Sequence, residues 1–421
     1  MLTQGQEVAL QGVRQLGVDF PEGGGIAVIA GYAGTGKSTL IRILAEEYDN
    51  RILVVTPTGK AAVRVREIAE CPARTIHSWL YEVSEDEETG ELKFQRKPKA
   101  DLELPAAGFV VVDEASMVTF GVFVDILWAC QSLGLNLVLV GDEFQLPPVE
   151  MNAAKRDFSV FAADFPANFR TKLTEIHRQA LDSPIIRASM GVRTGRWANE
   201  AVSELPTVTD SQLLERAAFF FNEEGATIVH RNATRVAVNT GIRAHLGLPT
   251  SQIVTNEPLL VTQNTHAIEV YNGEIVNVLG LPAPINVEPI AVRDRTNDKS
   301  KYMNYLKTEI TTPVRGRQEV LIADAEVFGD TGGVGSYAIK RNATFLKQKL
   351  YGQLDGIPQG PPFLPANFGY ALTCHKSQGS EFPSGIVIVE DSLRLNTADG
   401  RRWLYTALTR FKKHLEICWR I

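Results

Sequence analysis

Gly31-Tyr-Ala-Gly-Thr-Gly-Lys37-Ser38 sets glycines, a lysine and a hydroxyl in the spacing G-x-x-x-x-G-K-[ST]. Glycines at Gly34 and Gly36 let successive backbone N–H groups turn toward an oligophosphate, which side chains would otherwise block. Lys37 is expected to bridge the β- and γ-phosphates and the Ser38 hydroxyl to ligate Mg²⁺. Gly34, Thr35, Gly36 and Thr39 complete the expected nucleotide cradle of an ATP site. Further along, Asp113-Glu114 ends the apolar run Phe109–Val112. An acidic pair there suits metal-assisted hydrolysis, with Asp113 holding Mg²⁺ and Glu114 polarising the attacking water. Gln145, in Gly-Asp-Glu-Phe-Gln, is placed to orient groups near the γ-phosphate.

These residues need a scaffold that brings them together. Apolar runs at Ile26–Ala30, Ile52–Thr56, Phe109–Val112 and Leu135–Val140 alternate with helical stretches, of which Ser38–Glu47 follows the glycine-rich loop directly. That alternation predicts an α/β fold whose parallel sheet is covered on both faces. Ligands of such sheets sit at the carboxyl ends of the strands, where GYAGTGKS, TPTGKAA, DEAS and GDEFQLPP would all gather. Trp79–Val83 and Glu91–Gln95, separated by an acidic turn, predict an inserted β-hairpin. A second alternating segment starts near Leu173 and includes the strand Thr227–His230, a helix through Arg243 and the strand Gly385–Val389. Between Leu281 and Pro365 the alternation fades. Short β-like pieces at Glu319–Ile322 and Gly335–Ile339, then GIPQGPPFLP, predict a small β-rich insertion ending in a stiff linker.

Composition sets outer bounds. The 421 residues exceed one ordinary core, and 44% hydrophobic with 22% charged residues matches a folded globular chain. No apolar run is long enough to span a bilayer and the N-terminus lacks a signal-like pattern, so a cytoplasmic setting is expected. Four cysteines without C-x-x-C spacing fit a reducing compartment. The net charge of −6 gives no global attraction to nucleic acid. A polyanion would have to be gripped by local groups.

The motifs in their order resemble superfamily 1B helicases, the RecD-like branch and within it the phage Dda type. Leu2-Thr3-x-x-Gln6-x-x-Ala9 is similar to a Q-type motif, which implies that Gln6 reads adenine. Gly31–Thr39 resembles motif I, Thr56-Pro-Thr-Gly-Lys-Ala-Ala62 motif Ia, and Thr75-Ile-His-Ser-Trp-Leu80 motif Ib. Val111–Ser116 resembles motif II and Leu139–Val149 motif III. Leu173-Thr-Glu-Ile-His-Arg178-Gln is similar to motif IV, Tyr370–Phe382 to motif V and Leu404-Tyr-Thr-Ala-Leu-Thr-Arg410 to motif VI. Ser183-Pro-Ile-Ile with Val192-Arg-Thr-Gly-Arg-Trp197 is particularly like the Dda type. His177 and Phe411 depart from the residues usual at those places.

The resemblance implies two RecA-like P-loop domains: 1–77 with 106–170, and 171–280 with 366–421. It also implies a β-hairpin pin over 78–105 and an SH3-like barrel over 281–365 that braces it. Arg178 and Arg410 would act across the cleft as arginine fingers, worth roughly 10³–10⁵ in rate. Glu381 would hold the ribose. Thr56, Pro57, Thr58 and His77 would share a single-stranded DNA track with Thr373, His375 and Lys376, positioning phosphates without reading sequence. Trp79 or Phe94 could stack bases, and the acidic tip Glu85–Glu88 would act as a wedge. A monomeric 5′→3′ DNA helicase acting at duplex junctions is expected, with replication or recombination proteins as partners. A protein-displacing translocase and a P-loop kinase are the competing readings.

Overall fold

In the computed structural model, strands form where β-branched and apolar residues run together, and threonines start many of the helices. The structure describes residues 2–49, 51–85, 92–106, 108–148, 155, 158–176, 182–196, 198–285, 288–294, 297–312, 314–354 and 357–420. The expected finger Arg178, its neighbour His177, Trp197 and the hairpin-tip residues Asp86, Glu87 and Glu88 lie outside them.

The first parallel sheet contains β1 (Ile26–Gly31), β2 (Leu53–Thr56), β3 (Ala73–Thr75), β6 (Phe109–Val112), β7 (Asn136–Gly141) and β8 (Phe169–Leu173), in the order β3-β2-β6-β7-β1-β8. Its central strands are buried end to end, as continuous apolar runs covered on both faces require. Thr3 caps helix α1 (Gln4–Asp19) in a reciprocal capping box with Gln6. Helices α2 (Lys37–Glu47) and α3 (Gly59–Ala69) follow β1 and β2, with Thr58 capping α3. The hairpin strands β4 (Tyr81–Glu85) and β5 (Leu92–Arg96) pair antiparallel, as expected, but Trp79 is not in a strand. It sits in the short helix α4 (Ile76–Leu80), capped by Thr75.

The hairpin base is held by helix α5 (Phe120–Leu133): Asp125 pairs with Arg96 at 2.9 Å and accepts from the Tyr81 hydroxyl, and Arg96 lies over Trp128. These contacts lie within the first body.

The second parallel sheet runs β21-β10-β22-β23-β9, from β9 (Thr207–Val208), β10 (Ala226–Val229), β21 (Ala371–Thr373), β22 (Phe382–Glu390) and β23 (Phe411–Arg420). Between β10 and β21 lies an antiparallel unit. It contains β11 (Pro258–Val261), β12 (Ile275–Val278), β13 (Ala283–Pro284), β16 (Tyr305–Thr312), β17 (Gly316–Ala323) and β20 (Ala366–Phe368), ordered β13-β16-β12-β11-β20 with β17 on β16. Two small hairpins, β14 (Ile290–Asp294) with β15 (Lys299–Met303) and β18 (Gln353–Leu354) with β19 (Ile357–Pro358), complete the strands.

Three sequence expectations change. The first sheet runs through Leu173, past the expected boundary at 170, because β8 pairs with β1. The antiparallel sheet opens at Pro258 instead of 281, because β11 pairs with both β12 and β20. Gly335–Ile339 is not a strand: Ser336–Tyr351 is a helix. Ile339, Ala343 and Leu346 are buried along one face of it, a helical period that a five-residue window cannot show. A buried ion pair, Arg243 with Glu257 at 2.6 Å, joins the helix after β10 to the antiparallel unit, and the Tyr370 hydroxyl donates to the same carboxylate at 3.1 Å. Among the described residues no helix is long and apolar enough to cross a membrane.

Candidate nucleotide site and domain cleft

The glycine-rich loop has the backbone its sequence requires. Gly34 and Gly36 have φ of 80° and 78°, which only glycine adopts without strain, and Gly36 caps α2. A Cβ on Gly31 would lie 2.8 Å from Thr35 Oγ1 and 3.0 Å from Lys37 Cγ. Lys37 Nζ donates to the carbonyls of Gly31 and Tyr32 at 2.7 and 3.0 Å. Tyr32 is a hub, since its carbonyl also accepts from Thr35 Oγ1 at 2.8 Å. Ser38 and Thr39 are half-buried in the first turn of α2. Gln6 is buried beneath the loop, where Nε2 donates to the Thr35 and Gly36 carbonyls at 3.2 and 3.4 Å and Oε1 accepts from Thr3 N. Its amide therefore ties α1 to the loop.

Asp113 and Glu114 follow β6 directly. Burial, and then the adjacent Glu114, push the Asp113 carboxyl up to about 6, while Lys37 and Arg64 oppose the shift. Glu114 has φ of 52°, unusual for a non-glycine residue, and its buried Oε2 has no hydrogen-bond partner among the described residues. Gln145 is buried too, and among the described residues its Oε1 is likewise unpartnered. Unpaired buried oxygens are costly and call for a ligand or water. A recessed carboxylate beside Lys37 and two orphaned oxygens fit a magnesium–triphosphate: Ser38 and Asp113 offer hard oxygen ligands, and the loop offers N–H donors.

The second sheet closes on this edge. Tyr405, in the helix Ala398–Leu408, accepts from Ala33 N at 3.1 Å and donates to Asp142 Oδ2 at 2.6 Å. Leu146 N donates to Thr406 Oγ1 at 2.9 Å, and Gln378 Nε2 donates to the Leu146 carbonyl at 3.2 Å. Tyr405, Asp142 and Thr406 are all buried. Glu381 is committed elsewhere than expected: Arg64 of the first body takes one carboxylate oxygen and Lys412 the other, at 2.6 Å. Burial opposes its charge, but Arg64, Lys412 and Arg410 outweigh it and hold its carboxyl below the ordinary range. Glu381 thus forms an interdomain clasp. Arg410 is buried, with Nε, Nη1 and Nη2 donating to Thr406 O, Ser380 O and Thr409 Oγ1 at 3.1, 3.4 and 3.3 Å.

The expected DNA residues divide. Thr56 is fully buried and its hydroxyl donates to the Thr58 carbonyl at 2.8 Å, so it braces the loop and cannot reach a phosphate. Thr373 is buried at the start of the short helix Cys374–Ser377. Pro57, Thr58 and His77 are half-buried and His375 is exposed. Burial lowers the His77 pKa, favouring the neutral ring, which lies 5.3 Å from the Phe94 ring and 5.4 Å from the Tyr81 ring. Lys376 Nζ donates to Asn272 Oδ1 at 2.5 Å. Trp79 is 1% exposed, with Nε1 directed at the Glu103 carbonyl at 3.4 Å, so it is core and cannot stack a base; Phe94, at 50%, can. His375 also lines an interdomain cavity of about 840 Å³ with Gln145, His230, Arg402 and Trp403.

The sequence reading missed Arg64, Asp142, Arg193 and Tyr405. Each stands in or beside one of the motifs, which was the available signal: Asp142 follows β7 and Arg193 ends a helix, while Arg64 and Tyr405 lie within helices.

Known proteins match this layout. The family described as AAA domain matches residues 2–209, and the UvrD-like helicase C-terminal domain matches 368–418. An ATP-dependent RecD2 DNA helicase of Deinococcus radiodurans is 26% identical over 403 residues, 91% of this chain and 46% of that protein. The RecD subunit of the RecBCD enzyme of Mycobacterium tuberculosis is 26% identical over 446 residues, 93% of this chain and 66% of that protein. The chain thus spans about half of the first relative and about two thirds of the second. Among solved structures, Bacteroides Pif1 bound to single-stranded DNA aligns with 99% of this chain and 92% of its own, with a TM-score of 0.53 at 19% identity. That likeness reaches through both parallel sheets and supports two RecA-like domains. Because the relatives run through both sheets, and not the phosphate loop alone, the chain is similar to RecD-type helicases along most of its length.

Proposed function

We propose that the chain is an ATP-driven DNA helicase that moves 5′→3′ along single-stranded DNA and separates the duplex ahead of it. One observation carries the reading: the phosphate loop, Asp113 and Glu114 lie on one sheet edge, while from the other body Tyr405 reaches Ala33 of that loop and Thr406 and Gln378 reach Leu146, next to Gln145. A site split between two bodies can convert nucleotide turnover into their relative motion. The direction of travel comes from the family resemblance.

In this reading Gly34–Thr39 hold ATP, with Lys37 on the β- and γ-phosphates. Ser38 and Asp113 would hold Mg²⁺, which when bound neutralises charge on the phosphoryl oxygens. Glu114 takes the proton of the attacking water, a role supported by its unpartnered Oε2. Gln145 orients that water. Arg178 and Arg410 neutralise charge on the transferring phosphoryl group, Arg410 by exchanging one of its present oxygen partners.

The single strand lies over Pro57, Thr58 and His77 of the first domain and His375 and Lys376 of the second, with Phe94 stacking a base. The hairpin Tyr81–Arg96 serves as the strand-separating pin and the antiparallel unit as the SH3-like barrel. A tailed or forked duplex is the substrate, and one copy of the chain suffices for the split site.

The test is ATP hydrolysis with and without single-stranded DNA, in wild type and Lys37→Ala. Stimulation by DNA in wild type, lost in the variant, is expected. A rate indifferent to DNA, or transfer of phosphate to a small molecule, would remove the motor and favour a kinase.

A further inference from the structure

Of the two expected fingers only Arg410 is among the described residues, and its hydrogen bonds do not go to the phosphate loop. Arg178 lies outside them, and Arg410 spends all three nitrogens on oxygens of its own neighbourhood. A third arginine does face the loop. Arg193 ends the helix Pro184–Arg193, and its guanidinium carbon lies 3.1 Å from the centroid of the Tyr32 ring, a close cation–π stack. Tyr32 is the residue whose carbonyl receives Lys37 Nζ and Thr35 Oγ1. The contact therefore joins a guanidinium outside the first sheet to the hub of the loop.

Two further facts give the guanidinium a direction. Its Nη1 is buried and, among the described residues, has no hydrogen-bond partner. A buried charged donor without an acceptor is costly, and the cost is recovered when an anion arrives. Burial and Asp142 raise the Tyr405 phenol's pKa, and the Arg193 charge is among the groups near enough to oppose that rise, at the residue that contacts Ala33. Ala33 lies at the edge of the loop that faces the second sheet. A triphosphate whose inner phosphates were cradled by the helix start would leave its terminal phosphoryl group toward this side of the cleft, from which Arg193 comes.

We propose that Arg193 is a residue by which the second body distinguishes a nucleoside triphosphate from a diphosphate, with Nη1 donating to the terminal phosphoryl oxygens. It rests on the nucleotide-site reading above and deepens it. The stack on Tyr32 keeps the guanidinium flat and poised, so that little ordering is lost when the donor engages. A lysine could supply the charge but not the stack and the fork together.

The experiment is equilibrium binding of fluorescent ADP and of a fluorescent non-hydrolysable ATP analogue, with Mg²⁺, to wild type, Arg193→Ala and Arg193→Lys. Binding is read without turnover, so it does not depend on the motor function. Loss of one charge-assisted hydrogen bond predicts that Arg193→Ala weakens the triphosphate analogue about 10- to 100-fold. ADP affinity should stay within about twofold, which also reports a folded loop, and Arg193→Lys should recover part of the preference. Equal loss for both nucleotides, or no loss for either, would overturn the proposal and leave Arg193 as packing against Tyr32. If wild type bound neither nucleotide, the nucleotide site itself would fail and the proposal with it.

Discussion

Replacing Tyr405 by Phe removes one oxygen and leaves the ring, which stacks edge-on to Phe144 at 5.2 Å. That oxygen donates to Asp142 Oδ2 at 2.6 Å and accepts from Ala33 N at 3.1 Å. Asp142 is fully buried and, among the described residues, its carboxylate would keep only its Oδ1 hydrogen bond, where Phe144 N donates at 3.0 Å. A buried hydrogen bond to a carboxylate contributes about 1.5–3 kcal/mol, and the partly exposed Ala33 N–H recovers some of its loss from water. Tyr405→Phe should therefore destabilise the protein by about 2–3 kcal/mol. The assay is urea unfolding, taking the midpoint shift at unchanged slope. A cycle with Asp142→Asn should give a coupling of about 1–3 kcal/mol, since the two residues share one bond. A Tyr405→Phe shift below about 0.5 kcal/mol, the ordinary range for neutral surface changes, would refute the latch.

Other expectations concern stability and the DNA track. Burial raises the Glu326 carboxyl to about 7 from 4.5, against the hydrogen bond from Ser336. The folded protein then holds a proton that the unfolded chain releases, so stability is greatest below about 4.5 and falls as pH rises to about 7. Glu326→Gln should remove this slope, worth roughly 3 kcal/mol, in urea midpoints compared at pH 4.5 and 8. An unchanged slope would show that Glu326 is not the group responsible. Trp79→Ala should cost about 3–5 kcal/mol of stability by opening the core, whereas Phe94→Ala should leave stability within about 0.5 kcal/mol. The Phe94 variant should weaken single-stranded DNA binding by about 1–3 kcal/mol in fluorescence anisotropy. Unchanged affinity would exclude base stacking at that ring.

What could be read from the sequence was local. The loop Gly31–Ser38 carries its own backbone instructions in Gly34 and Gly36, and β6 announces itself as Phe-Val-Val-Val before Asp113. Trp79 was misplaced because four strand-like residues around it are outweighed by the Thr75 cap, which starts a helix, and by burial against the hairpin base. The helix Ser336–Tyr351 was lost because its period exceeds the stretch that looked β-like. The cleft was least legible. Tyr405 and Ala33 are 372 residues apart, and Arg64 and Glu381 are 317 apart. No spacing rule joins such residues; the parallel strand orders of two separate sheets do.

Strand displacement on duplexes with a 5′ or a 3′ single-stranded tail tests the central claim most directly, with ATP and Mg²⁺ and with Lys37→Ala as control. The split-site motor predicts displacement from the 5′-tailed duplex that needs ATP and vanishes in Lys37→Ala. Displacement from the 3′ tail instead would contradict the direction of travel, and no displacement from either would contradict the helicase assignment.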